Sequence, residues 1–335
     1  MQKNPNSFSF LVLAYNHEKF IIDHLESIKY QVQKHGTKIV VDLLISDDNS
    51  TDRTVEYIDT WIKSNYNLFN RIKKNFNDFN SGTCLCTSKL ILDVETETFK
   101  LTAGDDIYSF ENIFEASYFD NSIAFLGGFQ LNIEDDILKK DFISKFLIIS
   151  SQEVYSNKKI NSRFINFSYN NAPNLFYNLH CIQDIRVIQY LNKFDVTEDW
   201  PIQIAISRFF SQKKYKYLNK VFVYYRRTSS STYLVASSRF NKDRIKIFED
   251  LIKNNSNYFS KLRLMNKVVC FKVKNKIISR LINIDLYLFF VNALLHFPTI
   301  IYKILFINLR KELHLKHYGL IVKNASSFKS EKLQR

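Results

Sequence analysis

The chain has 335 residues, 46% of them hydrophobic and 24% charged, and its six glycines and four prolines are few beside thirty phenylalanines and nineteen tyrosines. This composition excludes a low-complexity chain and is sufficient for one sizeable core with an appendage. The formal net charge of +14 favours anionic partners such as nucleic acid, acidic lipid headgroups or phosphorylated substrates, but does not choose among them.

Apolar strands and amphipathic helices alternate in the N-terminal part of the chain. Residues 8–14 form a continuous apolar run, typical of a strand buried on both faces, and apolar residues recur at helical spacing over residues 20–32. A second apolar run covers residues 39–45, and another amphipathic helix follows it. This alternation predicts an α/β fold, with a mostly parallel sheet flanked by helices.

Three polar clusters follow predicted strands of this sheet. They are Ala14-Tyr15-Asn16, Asp47-Asp48 and Gly104-Asp105-Asp106. In open α/β sheets, ligands bind beyond the carboxyl ends of the strands, so we expect the three clusters to line one site. The chain has neither of the glycine-rich motifs that hold dinucleotides or triphosphates. A bound diphosphate would therefore need another neutralising group, for which a metal ion held by carboxylates is the candidate.

The clusters lie in segments that resemble family 2 glycosyltransferases. Residues 12–16 and 47–52 resemble the first two strand ends of that family, and the chain keeps the family's spacing from residue 81 to the metal motif at residues 105–106. Residues 197–200 (Thr-Glu-Asp-Trp) resemble the Glu-Asp motif, and residues 225–228 resemble a late Tyr-Arg-x-His motif. The resemblance covers about residues 7–235.

This resemblance implies a GT-A, Rossmann-like catalytic domain over residues 1–235. Such a domain would transfer a sugar from a nucleotide-diphosphate sugar, with UDP favoured, to an acceptor hydroxyl with inversion. The expected acceptor is a saccharide or a lipid-linked saccharide in the synthesis of a bacterial surface polysaccharide.

The resemblance also assigns roles to individual residues. Asp199 would be the catalytic base and Glu198 would orient the acceptor or its loop, although a Glu-Asp pair can equally begin a helix. Asp105, with Asp106 nearby, would hold Mg²⁺ or Mn²⁺. The residues expected to bind the donor are Ala14, Tyr15, Asn16, Asp47, Asp48, Gly104, Asp105, Arg226 and Arg227.

Two of these donor roles have structural alternatives. A carboxylate at the end of the second strand would accept the uracil N3–H, and we assign this role to Asp47; the other carboxylate would cap the following helix through an Asx turn. Arg226 or Arg227 would close over the diphosphate by bidentate contact, unless both form surface salt bridges.

The chain departs from the family pattern at two positions. Ala103 stands where the metal motif has its first aspartate, and Thr228 stands where the late motif has histidine. These changes raise the alternative of a degenerate protein that binds nucleotide sugar without catalysis, although the retained Asp199 argues against it. A second alternative is a basic nucleic-acid-binding protein. The chain has no helix-turn-helix or RNA-recognition motif, so we expect no nucleic-acid partner.

Residues 236–335 form a basic, hydrophobic region that the sequence predicts to be helical. Residues 239–276 have the pattern of a basic amphipathic helix, and the apolar stretch over residues 284–309 is interrupted by polar residues. Either an interfacial helix on anionic lipid or an ordinary helical subdomain fits this pattern. The four cysteines lack zinc-ligand spacing and suit a reducing cytosol. We therefore expect a cytoplasmic protein, at the inner face of the plasma membrane if the helices contact lipid.

Overall fold

The computed structural model of the chain describes residues 4–139, 141–227 and 238–333. The strands are β1 (Ser7–Ala14), β2 (Val40–Asp47), β3 (Arg71–Phe76), β4 (Thr98–Ala103), β5 (Ile107–Tyr108), β6 (Ile123–Gly127), β7 (Leu131–Glu134), β8 (Ile137–Lys139), β9 (Leu175–Tyr177), β10 (Lys214–Tyr217) and β11 (Val223–Arg226). The N-terminal helices are α1 (Ile21–His35), α2 (Thr54–Asn65), α3 (Thr83–Leu92) and α4 (Ile113–Ser117). The middle helices are α5 (Phe142–Tyr155), α6 (Ile160–Ile165), α7 (Leu179–Ile182), α8 (Ile185–Leu191) and α9 (Asp199–Phe209). The C-terminal helices are α10 (Ser238–Lys253), α11 (Tyr258–Lys272), α12 (Lys276–Leu281), α13 (Ile284–Leu295), α14 (Phe297–Phe306) and α15 (Lys311–Lys332).

The main sheet is parallel and has the strand order β3-β2-β1-β4. The central strand β1 is almost entirely buried, as its apolar sequence requires when helices cover both faces. The predicted mostly parallel sheet flanked by helices is confirmed. Ala14 pairs with Asp47 and Leu13 pairs with Ala103, so the ends of β1, β2 and β4 meet at one edge.

Two small mixed sheets extend this layer, with strand orders β10-β6-β9 and β5-β11-β7-β8. In the second of these, β11 runs antiparallel to β5 and parallel to β7. Because β5 follows directly after the Asp105-Asp106 turn, this pairing brings the end of β11 beside that turn. Residues more than 100 positions apart in the sequence thus become neighbours.

The C-terminal helices pack into the same core as the strands. Phe248 of α10 and Leu264 of α11 are buried in a cluster with side chains of β1 and α9. Ala325 of α15 joins the cluster around β1 and α1. The single basic helix predicted over residues 239–276 is two helices, α10 and α11, separated near Asn255.

One face of the C-terminal helices remains apolar and exposed. Within the part of the chain that the structure describes, no single helix is long and apolar enough to cross a membrane. Helices α13 and α14 meet this criterion of length and composition only as a pair, and they are bent by 80° to each other. Their most exposed large apolar residues are Leu294, Leu295, Tyr302, Leu305 and Phe306.

Candidate active site

A cavity of about 660 Å³ opens at the carboxyl ends of β1, β2 and β4. The predicted site residues that line it are Ala14, Tyr15, Asn16, Asp48, Asp105, Asp106, Glu198, Asp199 and Arg226. Asp47, Gly104 and Arg227 are the predicted residues that are not among its lining. The cavity therefore unites the three strand-end clusters with the Glu-Asp pair, which is distant in sequence.

The two aspartates at the end of β2 are oriented differently. Both carboxylate oxygens of Asp47 accept hydrogen bonds from Ser50, one from its N–H at 2.8 Å and one from its hydroxyl at 2.5 Å. Burial raises the pKa of Asp47, although these hydrogen bonds act to lower it. Asp47 thus forms the predicted turn, whereas Asp48 reaches the cavity. This placement reverses the two roles and makes Asp48 the candidate for contact with a nucleotide base.

Asp48 also holds the loop before α3. Its carboxylate accepts hydrogen bonds from the N–H groups of Ser81 (2.7 Å) and Gly82 (2.9 Å) and from Asn77 (3.0 Å). Burial opposes ionisation, but these bonds hold the pKa of Asp48 below its usual value. Gly82 has a φ of +89°, and a Cβ there would lie 2.3 Å from a carboxylate oxygen of Asp195. Only glycine fits at this close approach.

The loop after β1 is bonded to the loop after β2. Asn16 has a φ of +54°, its N–H donates to the Ser50 hydroxyl at 2.8 Å, and its side-chain oxygen accepts from the N–H of Thr51 at 2.9 Å. Asn16 therefore does not cap α1, which begins at Ile21 without a side-chain cap. Tyr15 is 45% exposed at the mouth of the cavity.

The turn after β4 presents two carboxylates to the cavity. Asp106 is buried, and its side chain accepts a hydrogen bond from the N–H of Arg226 at 2.9 Å. Burial, and next the charge of Asp105, raise the pKa of Asp106 well above its usual value. The Asp105 side chain is partly exposed and bonds to no other described residue. Gly104 donates to Leu13 and packs against Ile21, which makes it a packing position at this turn.

Both predicted arginines form ion pairs, which is the alternative noted for them in the sequence. The guanidinium of Arg226 pairs with Asp23 (3.1 Å) and Asp136 (2.8 Å), and its Nε donates to the carbonyl of Asp105 at 2.9 Å. Arg227 pairs with Glu134 at 3.2 Å and lines a separate surface depression. Arg226 thus braces the Asp105-Asp106 turn through its N–H and its Nε. Thr228, which ends the late motif, and Ser229–Ser231, which follow it, lie outside the described residues.

The residues at this turn fit a divalent cation that arrives with a diphosphate. No group of three or more His, Cys, Asp or Glu that could hold a metal occurs among the described residues. Mg²⁺, however, is usually bound through one or two carboxylates, with substrate phosphates and water completing its octahedron. Asp105 and Asp106 supply such oxygens. His17, which also lines the cavity, has a buried Nδ1 without a partner in the described chain.

Glu198 and Asp199 begin α9 on the other side of the cavity. A carboxylate oxygen of Asp199 accepts from the N–H of Trp200 at 2.7 Å, as the helix-start alternative requires, and the side chain also lines the cavity. Burial, and next the charge of Asp199, raise the pKa of Glu198 to about 8. Burial raises the pKa of Asp199, while the Trp200 N–H and the charge of Arg244 oppose the shift. With a pKa of about 8, Glu198 favours its neutral form at neutral pH, which leaves Asp199 as the candidate base of the pair.

Glu198→Gln is expected to make stability less dependent on pH. Because the folded protein holds the Glu198 proton up to about pH 8, wild-type stability decreases as pH rises from about 4.5 towards 8. Glutamine mimics the neutral carboxyl and removes this contribution. Melting temperatures between pH 5 and pH 9 should therefore decrease less for the variant than for the wild type. Parallel curves for the two proteins would contradict a neutral Glu198.

The sequence did not identify two residues of α10 that lie at or beside this site. Asp243 is buried and accepts hydrogen bonds from the N–H groups of residues 195, 196 and 197 at 2.7–3.1 Å. It thereby fixes the segment that leads into Glu198. Arg244 follows it and lines the cavity. The basic amphipathic pattern of α10 did not indicate that Asp243 or Arg244 would lie near the site. For His17, the only indication in the sequence was its position directly after Asn16.

Comparisons with known proteins agree with this architecture. Residues 9–84 match the model of the family described as Glycosyl transferase family 2. TarS 1-349 of S. aureus in complex with UDP-GlcNAc has a TM-score of 0.55 at 16% identity, over 98% of this chain and 93% of that one. The mannosyltransferase PcManGT from Pyrobaculum calidifontis, in complex with GDP-Man and Mn²⁺, has a TM-score of 0.54 at 11% identity, over 99% of this chain and 89% of that one.

A third solved structure has a longer chain. GalNAc-T7 with UDP, GalNAc and Mn²⁺ has a TM-score of 0.55 at 11% identity, over 98% of this chain and 58% of that one. At these identities the likeness shows the fold. A search of curated proteins by sequence gives no match. The family model thus matches the N-terminal part of the resemblance noted in the sequence, and the solved structures share the predicted GT-A fold.

Proposed function

We propose that this chain, which has the GT-A fold, is a family 2 glycosyltransferase that transfers a sugar from a nucleotide-diphosphate sugar to an acceptor hydroxyl with inversion. The observation that carries the proposal is one cavity with an acidic turn on one side and a carboxylate pair of raised pKa on the other. A UDP-sugar is the favoured donor, and a saccharide of a bacterial surface polysaccharide, free or lipid-linked, is the favoured acceptor.

Each group in the cavity has a role in a single displacement. Asp199 takes the proton of the acceptor hydroxyl as that oxygen attacks the anomeric carbon, and the bond to the nucleotide diphosphate breaks on the opposite face. Glu198, neutral at pH 7, donates a hydrogen bond that orients the acceptor. Asp48 and the backbone near Tyr15 contact the nucleotide. A divalent cation held by Asp105 and Asp106 would neutralise the charge of the departing diphosphate.

A thermal-shift panel of nucleotides tests the proposal. UDP, GDP, dTDP and CMP are each added with and without Mn²⁺, because a ligand that binds only the folded chain raises its melting temperature. The expected result is a metal-dependent increase with UDP. Transfer from the matching nucleotide sugar, followed by NMR assignment of the anomeric configuration, then tests inversion. No increase with any nucleotide would reject the donor role, and retention of configuration would reject the single displacement.

We further propose that the C-terminal helices hold the protein at an anionic membrane surface. Residues 258–310 contain nine Lys and Arg residues and one acidic residue, Asp285. Asp285 is buried in ion pairs with Arg263 and Lys267, so the exposed charges of this region are positive. Exposed apolar side chains interleaved with basic ones are typical of helices that lie in the lipid interface.

Replacing Leu294, Leu295, Leu305 and Phe306 with serine is expected to weaken vesicle binding by at least about tenfold, because burying each such side chain in lipid contributes about 1.5–3 kcal/mol. Co-sedimentation with phosphatidylglycerol vesicles measures the effect, with phosphatidylcholine vesicles as the uncharged comparison. A matched control replaces the exposed Leu92 and Ile185 with serine. A wild type that stays in the supernatant with both lipids, or a variant that binds like the wild type, would contradict the membrane role.

A further inference from the structure

Arg244 places a guanidinium in the wall of the cavity. It lies on α10, and its guanidinium carbon is 4.9 Å from the ring centre of Phe271, 5.6 Å from that of Phe240 and 5.7 Å from that of Trp200. Its Nε is buried without a hydrogen-bond partner. Within residues 4–139, 141–227 and 238–333, no group accepts a hydrogen bond from this guanidinium or forms a salt bridge with it.

The neighbouring arginines show how unusual this state is within the site. Arg226 pairs with Asp23 and Asp136, and Arg239 makes a two-pronged pair with Asp195. Placing a guanidinium among aromatic rings without an acceptor for its N–H groups costs free energy. Its aromatic neighbours pack near the guanidinium but offer no oxygen acceptor for its N–H groups. Such a group is ready to bind an oxyanion through two parallel hydrogen bonds.

The position of Arg244 indicates which substrate it meets. The charge of Arg244 acts on Asp199, but Asp199 accepts its hydrogen bond from the Trp200 N–H, so the two side chains do not form a pair. Arg244 lines the cavity from α10 and its guanidinium lies near Trp200 of α9, whereas the nucleotide-binding candidates lie at the ends of β1, β2 and β4. The base must face the acceptor hydroxyl, and Arg244 lines the same cavity and acts on that base through its charge, so its position favours the acceptor over the nucleotide.

We propose that Arg244 binds an oxyanion of the acceptor, a phosphate or a carboxylate carried near the reacting hydroxyl. The inference rests on the proposed transfer reaction and adds the chemical class of its acceptor. An acidic sugar or a phosphorylated saccharide would insert its anion between the aromatic rings and receive both hydrogen bonds of the guanidinium. A neutral saccharide would leave the guanidinium unpaired and bind more weakly.

Calorimetric titrations with three simple sugars test this assignment. Glucose 6-phosphate, glucuronate and glucose are titrated into full-length protein saturated with UDP and Mg²⁺, so that the donor part of the cavity is occupied. The proteins are the wild type, Arg244→Gln, Arg244→Lys and the control Lys242→Gln, which removes one exposed charge from the same helix. A parallel arm presents the phosphate on phosphatidic acid vesicles, which distinguishes a lipid-borne anion from a soluble one.

The expected result is that one of the acidic probes binds the wild type more tightly than glucose does. Arg244→Gln should weaken that binding by about tenfold or more, as loss of a charged hydrogen bond predicts. Arg244→Lys should be intermediate, and Lys242→Gln should match the wild type. Arg244-dependent binding of vesicles alone would assign the anion to a lipid-linked acceptor.

Two results would overturn the inference. One is acidic-probe binding, soluble or on vesicles, that is absent or does not depend on Arg244. The other is an Arg244→Gln variant that loses UDP binding as strongly as acidic-sugar binding, since the arginine would then serve the donor. Wild-type protein that binds an acidic sugar through Arg244 but never binds UDP would reject the proposed donor and leave the anion site standing. Unliganded melting temperatures show that each variant is folded.

Discussion

Asp199→Asn is expected to lower the rate of sugar transfer by about 10²–10⁴-fold, the range that a general base contributes. Asparagine keeps the shape of the side chain and can still accept the Trp200 N–H, but it cannot take the proton of the acceptor hydroxyl. Donor binding should remain nearly unchanged, because the nucleotide candidates lie on other elements. Initial rates of transfer and a UDP titration on the same preparation provide the two measurements.

The pH profile of the wild type gives an independent check on this base. Burial raises the pKa of Asp199, so the rate should fall as pH decreases through a value above the ordinary range for aspartate. Asp199→Asn should lack this acidic limb in its residual activity. Equal losses of transfer and UDP binding in the variant would show that Asp199 supports the structure of the site, and would reject it as the base.

The strand-end clusters could be predicted because they depend on local sequence. A continuous apolar run identifies a buried strand, and parallel strands place their carboxyl ends at one edge, so Ala14, Asp47 and Asp105 were expected near one another. Their register confirms that expectation. The Ser50 turn and the loop at Ser81 determine which of Asp47 and Asp48 faces the cavity. The order of the two aspartates in the sequence does not predict these contacts.

The remaining features depend on contacts between distant segments. Arg226 braces the Asp105-Asp106 turn because β11 pairs with β5. This pairing brings Arg226 into contact with Asp105, which is 121 positions away in the chain. Asp243 and Arg244 reach the site because α10 packs against α9 through residues such as Phe248 and Trp200. In the sequence, α10 shows only a basic amphipathic pattern, which many surface helices share. Periodicity shows which face of a helix is buried but not which site that face adjoins.

Asp105→Asn is expected to weaken UDP binding by about tenfold or more in the presence of Mn²⁺ and to change it little in its absence. Of the two carboxylates at the turn, Asp106 is buried and holds the N–H of Arg226, so its replacement would also disturb the turn itself. The Asp105 side chain lines the cavity without a partner among the described residues, so its replacement removes a cation ligand and little else. Titrations of UDP at several Mn²⁺ concentrations separate the metal-dependent part of UDP binding from the metal-independent part.

Asp135→Asn is the matched control, because the Asp135 side chain is 91% exposed and its φ of +53° is one that asparagine tolerates. Like Asp105→Asn, it removes one negative charge, but from a side chain that does not line the cavity. A variant at Asp105 whose metal dependence equals that of the control would reject Asp105 as a ligand. Because Ala103 stands at the first position of the motif, Asp106 would be the remaining carboxylate of this turn, and the cation would then have to be held by Asp106, by the diphosphate and by residues such as His17.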